Sequence, residues 1–189
     1  MRRKIIKIFA ITIFTQLCLY ACCANDQYNT FITSIELSAL SNNIINPSTV
    51  SNTDFNLLIA TSFESELVSY ISKQSGFINT ANAVTCIDDY IVINPVTSIN
   101  VEANVPLFDI PAGESLNNNI LLNYTFNSDD IISFDNLIEI LNNERDITSI
   151  SYIKFDTEIP TNTTVRFKIT YTLENGEQLE STSTEVTFE

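Results

Sequence analysis

The residues able to do chemistry in this chain are few, and their types narrow the options before any fold is considered. Histidine is absent from all 189 residues. Its absence removes the Ser-His-Asp and Cys-His arrangements and every zinc site built on imidazole. Serine and threonine nucleophiles are left without a visible base. Carboxylates remain: the pairs Asp88-Asp89 and Asp129-Asp130, with Asp135 close by, offer oxygen ligands to a hard cation such as Ca²⁺. No segment, however, has the alternating Asp/Asn, the central Gly and the terminal Glu of a calcium loop, and acids at strand ends are ordinarily solvated. Glycoside hydrolysis needs two carboxyls at a set separation, and nothing in the order of residues singles out such a pair. The expectation is a protein without catalytic residues, metal or cofactor.

Sulfur chemistry is confined to Cys18, Cys22, Cys23 and Cys86. The first three lie in or just after an unusual N-terminus. Arg2, Arg3, Lys4 and Lys7 form a basic head without acids, and residues 8–21, "IFAITIFTQLCLYA", are mostly apolar. A basic head, a short apolar middle and small residues at the end make a secretory signal. A spanning helix needs about 20 apolar residues, more than this run supplies. "Leu19-Tyr20-Ala21-Cys22" resembles the lipobox of bacterial lipoproteins, with Tyr20 departing from the small residue preferred at its position. That resemblance implies cleavage before Cys22, a diacylglyceryl group on its sulfur and acylation of the new amine. Cys23 fits the pattern worse, because Tyr20 would then stand where Leu belongs.

With Cys18 removed and Cys22 acylated, Cys23 and Cys86 are the remaining thiols. In an oxidising envelope such a pair commonly bridges. The bond would close a loop of about 60 residues, worth on the order of 4 kcal/mol.

Cleavage leaves 168 residues carrying Lys73, Arg145, Lys154, Arg166 and Lys168 against 23 acids, a net charge of −18. That balance argues against nucleic acid, whose binders need a basic face, and it serves solubility. The abundant Asn is compatible with an AT-rich coding bias and carries no functional reading at this stage.

Strands must position whatever site exists. "FITSIELSAL" alternates with Phe31, Thr33, Ile35, Leu37 and Ala39 on one side. "SNNIINPSTVSNT" is a loop by composition, and Phe55, Leu57 and Ile59 share a face of the next strand. Residues 66–86 read as a crossover loop with a helical turn around Leu67, Tyr70 and Ile71. "YIVINPVTSINVEA" breaks at Asn94-Pro95. "ILLNYTFNS" is another strand. "SFDNLIEILNNERD" is the one helix, capped by Ser133, with Phe134, Leu137, Ile138 and Leu141 as its apolar stripe. Val165, Phe167, Ile169, Tyr171 and Leu173 line one face of a late strand. Asn175-Gly176 marks a hairpin in which both central residues tolerate positive φ, and a slip between Leu179 and Val186 marks a bulge near Ser181–Thr184.

The expected fold is mostly β: a β-sandwich, immunoglobulin-like or related, of seven to nine strands with one short crossover helix. Its organisation is a signal over residues 1–21, a lipidated tether over 22–30 and one domain over 31–189. The alternative organisation is two small β-domains divided near Thr85–Asp89. The segments "FITSIELSAL", "FINTANAVTC", "INPVTSINV" and "VRFKITYTLENGEQLESTSTEV", following the framed Cys22, resemble small uncharacterised envelope lipoproteins of Bacteroidota. The resemblance implies a membrane-anchored lipoprotein of the cell envelope with a β-sandwich, expected in the outer membrane and facing either the periplasm or the surface, and brings no catalytic or binding residue with it. The function expected from anchor and composition is a non-enzymatic binding module for a protein or glycan. The rival is an adhesin-like assembly subunit pairing through an edge strand.

Overall fold

A computed structural model describes residues 27–69, 89–123, 131–143 and 148–189. The chain divides into two compact units: Met1–Asn29 with Ser65–Ile91, and Thr30–Glu64 with Val92–Glu189. The fold is a mostly-β, sandwich-like arrangement of sheets that are antiparallel apart from one short parallel pair, Thr49–Val50 beside Thr187–Phe188, with one α-helix among the described residues.

The strands are β1 (Gln27–Ser41), β2 (Ile44–Ile45), β3 (Thr49–Val50), β4 (Phe55–Ser69), β5 (Asp89–Val92), β6 (Val96–Ala103) and β7 (Ile120–Asn123). They continue with β8 (Ile131–Ile132), β9 (Thr148–Phe155), β10 (Thr164–Val165), β11 (Phe167–Leu173), β12 (Gln178–Thr182) and β13 (Val186–Phe188). Among the described residues the strands number thirteen, more than the seven to nine expected; five of them, β2, β3, β8, β10 and β13, are two or three residues long, too short to show an alternation. The large sheet runs β2-β1-β4-β9-β7-β8, with β5 also on β1; the two small sheets run β10-β13-β3 and β12-β11-β6.

Within the second unit, side chains of the large sheet meet those of the small ones. Phe55 of β4 lies 4.9 Å from Phe188 and 5.9 Å from Phe167, and Phe155 of β9 lies 5.0 Å from Phe167, measured between ring centroids. Alternation explains who faces inward: Val165, Phe167, Ile169, Tyr171 and Leu173 are all buried, as their period of two requires. The chain changes sheets in the middle of that run. Val165 pairs with Val186 and Phe167 with Ala103, and Asn104 holds the corner by accepting from the Arg166 N–H at 2.7 Å.

Tyr171 is the largest fully buried side chain, and its Oη shares a hydrogen bond with Thr61 Oγ1 across the two layers at 3.3 Å. Burial pushes its phenol from 10.0 up to about 12, the Thr61 contact opposing that only in part. The folded value lies above the unfolded one, so the contribution is full below pH 10 and is lost as pH rises toward 12. Alkaline urea titrations should therefore show stability falling across that interval, by about 2–3 kcal/mol from this group. Tyr171→Phe should remove that part of the fall, and an unchanged difference between the two proteins from pH 9 to pH 12 would contradict the assignment.

The helix α1 (Phe134–Asn142) forms as its pattern requires. Ser133 Oγ accepts from Asn136 N at 3.1 Å, Leu137 and Leu141 are buried, and Phe134 and Ile138 pack against the core. The last helical residue, Asn142, accepts from Val96 N at 2.8 Å and donates to Val96 O at 3.0 Å. Asn117 does the same a little further along β6, accepting from Val101 N at 3.0 Å and donating to Ile99 O at 2.7 Å. A carboxamide carries the same donor and acceptor as a peptide group, so these asparagines stand in for a missing neighbour strand. With the N–H groups of Leu116 and Gly113 bonded to Val101 O and Ala103 O, they occupy the outer edge of β6. Asn117→Ala should lower stability by about 1–3 kcal/mol in urea unfolding, because a strand carbonyl and amide lose their partners. Asn117→Asp should be at least as damaging, since it sets a carboxylate oxygen against Ile99 O; equal stability of all three proteins would contradict the role.

Several local expectations change. β1 begins at Gln27, and its alternation slips by one residue: Thr30 and Ile32 are buried, Thr33 and Ser34 both exposed, then Ile35, Leu37 and Ala39 buried. Leu67 belongs to β4 rather than to a helical turn; Tyr70 and Ile71 lie outside the described residues. The loop expected at "SNNI" is a two-residue hairpin, with Ser41 opposite Ile44 and both Asn42 and Asn43 at positive φ, +50° and +63°. At Asn175-Gly176 only Gly176 takes positive φ, +83°. Gly176 N bonds Leu173 O and Leu173 N bonds Glu177 O, each at 2.9 Å, which makes a three-residue turn with a glycine bulge. The bulge expected near Ser181–Thr184 is absent: β12 pairs with β11 in unbroken register to Thr182, and the phase of the alternation changes because the chain then leaves that sheet and enters another as β13 at Val186.

Candidate functional site

Three segments of the second unit enclose a cavity of about 400 Å³: the Asn42–Asn43 turn, residues 52–56 entering β4, and residues 154–158 leaving β9. Each is shaped by its own chemistry. Left-handed backbone at two successive positions suits asparagine, which tolerates it better than other non-glycine residues. The 52–56 wall is set by Asn52, which accepts from Ile159 N at 2.9 Å and donates to Ile159 O at 2.8 Å. That clamp joins two segments more than 100 residues apart in the chain. Asp54 N closes the turn onto Ser51 O at 3.2 Å.

Two rings are among the cavity's lining residues. Phe55 and Phe155 stack at 5.9 Å and 15°, backed by Phe167. Phe155 also meets Phe108 at 5.9 Å. Phe108 and Asp109 occupy a tight turn between Leu107 and Ile110 at φ +56° and +63°, an unusual conformation for a bulky residue.

The rest of the lining is polar: Asn42, Asn43 and Asn56, the carboxylates of Asp54, Asp156 and Glu158, and the ammonium of Lys154. Asn56 is buried; its amide nitrogen donates to Asp54 O at 3.3 Å while its Oδ1 has no hydrogen-bond partner. A buried acceptor without a donor costs about 1–3 kcal/mol, so a nearby hydroxyl able to reach it is favoured. The size falls within the range of small-ligand sites, about 300–1,000 Å³.

No three His, Cys, Asp or Glu residues converge as a metal site among the described residues. Asp135 sits in the first turn of α1, and Asp89 opens β5. Asp88, Asp129 and Asp130 lie outside the described residues, as do Cys22, Cys23 and Cys86, so the acylation and disulfide expectations are untouched by this geometry. The cavity is not visible in residue order because its polar groups come from three separate segments, two of them entering or leaving strands, that only the sheet pairing brings together. The doublet Asn42-Asn43 next to the β1 alternation was the usable signal.

The fold and the site together define a mostly-β sandwich with a polar, carboxylate-rimmed cavity at the ends of β1, β4 and β9. Comparison with protein-family models, with curated proteins and with solved structures finds no match.

Proposed function

We propose that the protein is a lipid-anchored, non-enzymatic binding module of the cell envelope that holds an uncharged glycan in the Asn42–Asn56–Asp156 cavity. The observation that carries this reading is the cavity itself, lined by asparagine amides, three carboxylates and the rings of Phe55 and Phe155, with the buried Asn56 Oδ1 lacking a donor. Polyhydroxylated ligands present alternating donors and acceptors to such groups. Three carboxylates against one ammonium disfavour acidic sugars by like-charge repulsion. The anchor is supported by the frame of Leu19 and Ala21 around Cys22. Among the described residues no helix is long and apolar enough to cross a membrane. Polymerisation through the outer edge of β6 is less well supported, because Asn117, Asn142, Leu116 and Gly113 of the same chain occupy it.

Screening the chain from residue 24 onward against neutral and acidic oligosaccharides tests the reading. Neutral ligands should bind. Asp156→Ala should weaken them about 10–100-fold, the worth of a hydrogen bond to a charged group, with an unchanged unfolding midpoint because Asp156 is exposed. Binding that is confined to acidic sugars, or indifferent to Asp156, would count against this cavity as the site.

A further inference from the structure

The first unit carries apolar side chains in contact with solvent. Leu67 and Val68 near the end of β4 are 44% and 54% exposed, and Ile91 of β5 is 45% exposed. β1 pairs with both of these strands, and its Tyr28 stacks on Tyr90 of β5 at 5.0 Å and 12°. Successive strand residues point to opposite faces. Leu67 with Val68, and Tyr90 with Ile91, therefore place apolar groups on both faces of this ribbon. A protein docked on one face would leave the other in water. The boundary between lipid headgroups and acyl chains can receive both at once, and it is where tyrosine concentrates in membrane proteins.

Covalent geometry brings the ribbon to that boundary. Gln27, the first residue of β1, follows Cys22 by five residues. Those residues reach at most about 18 Å when fully extended, so acyl chains on Cys22 hold the start of β1 close to the headgroups. Two limits set how deep it goes. Unpaired strand edges are not tolerated in hydrocarbon, and Glu66, which alternates with Leu67 and Ser65 along β4, is exposed. With its net charge of −18, the protein is matched to zwitterionic rather than anionic lipid.

We propose that the β1–β4–β5 ribbon of the first unit rests in the headgroup region of a zwitterionic bilayer, with Tyr28, Leu67, Val68, Tyr90 and Ile91 at the acyl boundary. The proposal rests on acylation of Cys22, and the test separates the two. The chain contains no Trp, so V68W and I91W each introduce a single emitter at an exposed position. The full acylated proteins are reconstituted into phosphatidylcholine vesicles with and without nitroxide-labelled lipid, the label placed on the acyl chain near the headgroup. Both proteins should float with the vesicles, lose emission to the nitroxide and be shielded from iodide in the buffer. Flotation with emission insensitive to the nitroxide and open to iodide would overturn the ribbon's placement and leave the anchor standing. Failure to float would overturn the anchor, and the placement with it.

Discussion

Replacing Cys22 by serine is expected to abolish incorporation of a fatty-acid label into the protein, whereas Cys23→Ser retains it in full. On the proposed reading, the lipobox-like frame of Leu19 and Ala21 selects the sulfur of Cys22, and a serine hydroxyl supplies no thioether. The effect on location is large because no helix among the described residues is long and apolar enough to cross a membrane. Each buried methylene is worth about 0.8 kcal/mol, one acyl chain holds only marginally and two or more hold stably. Metabolic labelling followed by intact-mass measurement reads the outcome. A label lost with Cys23→Ser and kept with Cys22→Ser would move the cleavage site and the anchor by one residue.

The largest expected change in stability is that of Phe167→Ala. Phe167 is fully buried where the layers meet, touching Phe55 and Phe155. Both neighbours are fixed by their own strands and by each other, so the space left behind closes poorly. Large-to-small aromatic changes of this kind cost about 3–5 kcal/mol, a substantial share of the roughly 5–15 kcal/mol that separates folded from unfolded domains. Urea unfolding should show the loss as a lower midpoint with an unchanged slope. Because Phe55 and Phe155 also line the cavity, ligand affinity should fall together with stability. A loss below about 1 kcal/mol would mean that the ring is not the shared centre of the two layers.

What could be read from residue order was what local periodicity carries. The run Val165 to Leu173 alternates without interruption and every second residue is buried. Ser133 and the Phe134–Leu141 stripe specify a helix with its own cap. Proline at 95 ends one strand and lets the next begin at Val96. The slip at Thr33–Ser34 escaped because both residues are small and polar, and either phase of the pleat suits them. Leu67 escaped because a short apolar cluster fits a helical turn or a strand equally well.

The asparagines escaped for a different reason. The amide of Asn52 meets Ile159 and that of Asn142 meets Val96, pairings set by topology and invisible to any window of neighbouring residues. The same property hides the site. Asn42, Asn56 and Asp156 share a cavity only because β1, β4 and β9 lie side by side in one sheet. The exclusions made from residue types, by contrast, need no fold. A chain without histidine has no imidazole wherever its strands go.

Backbone amide chemical-shift mapping of the isotopically labelled chain, titrated with a neutral oligosaccharide, tests the central claim most directly. Saturable shifts are predicted at residues 42–43, 52–56 and 154–158, the walls of the cavity, and they should disappear with Asp156→Ala. Saturable shifts that fall elsewhere and leave those three segments unmoved would contradict the account.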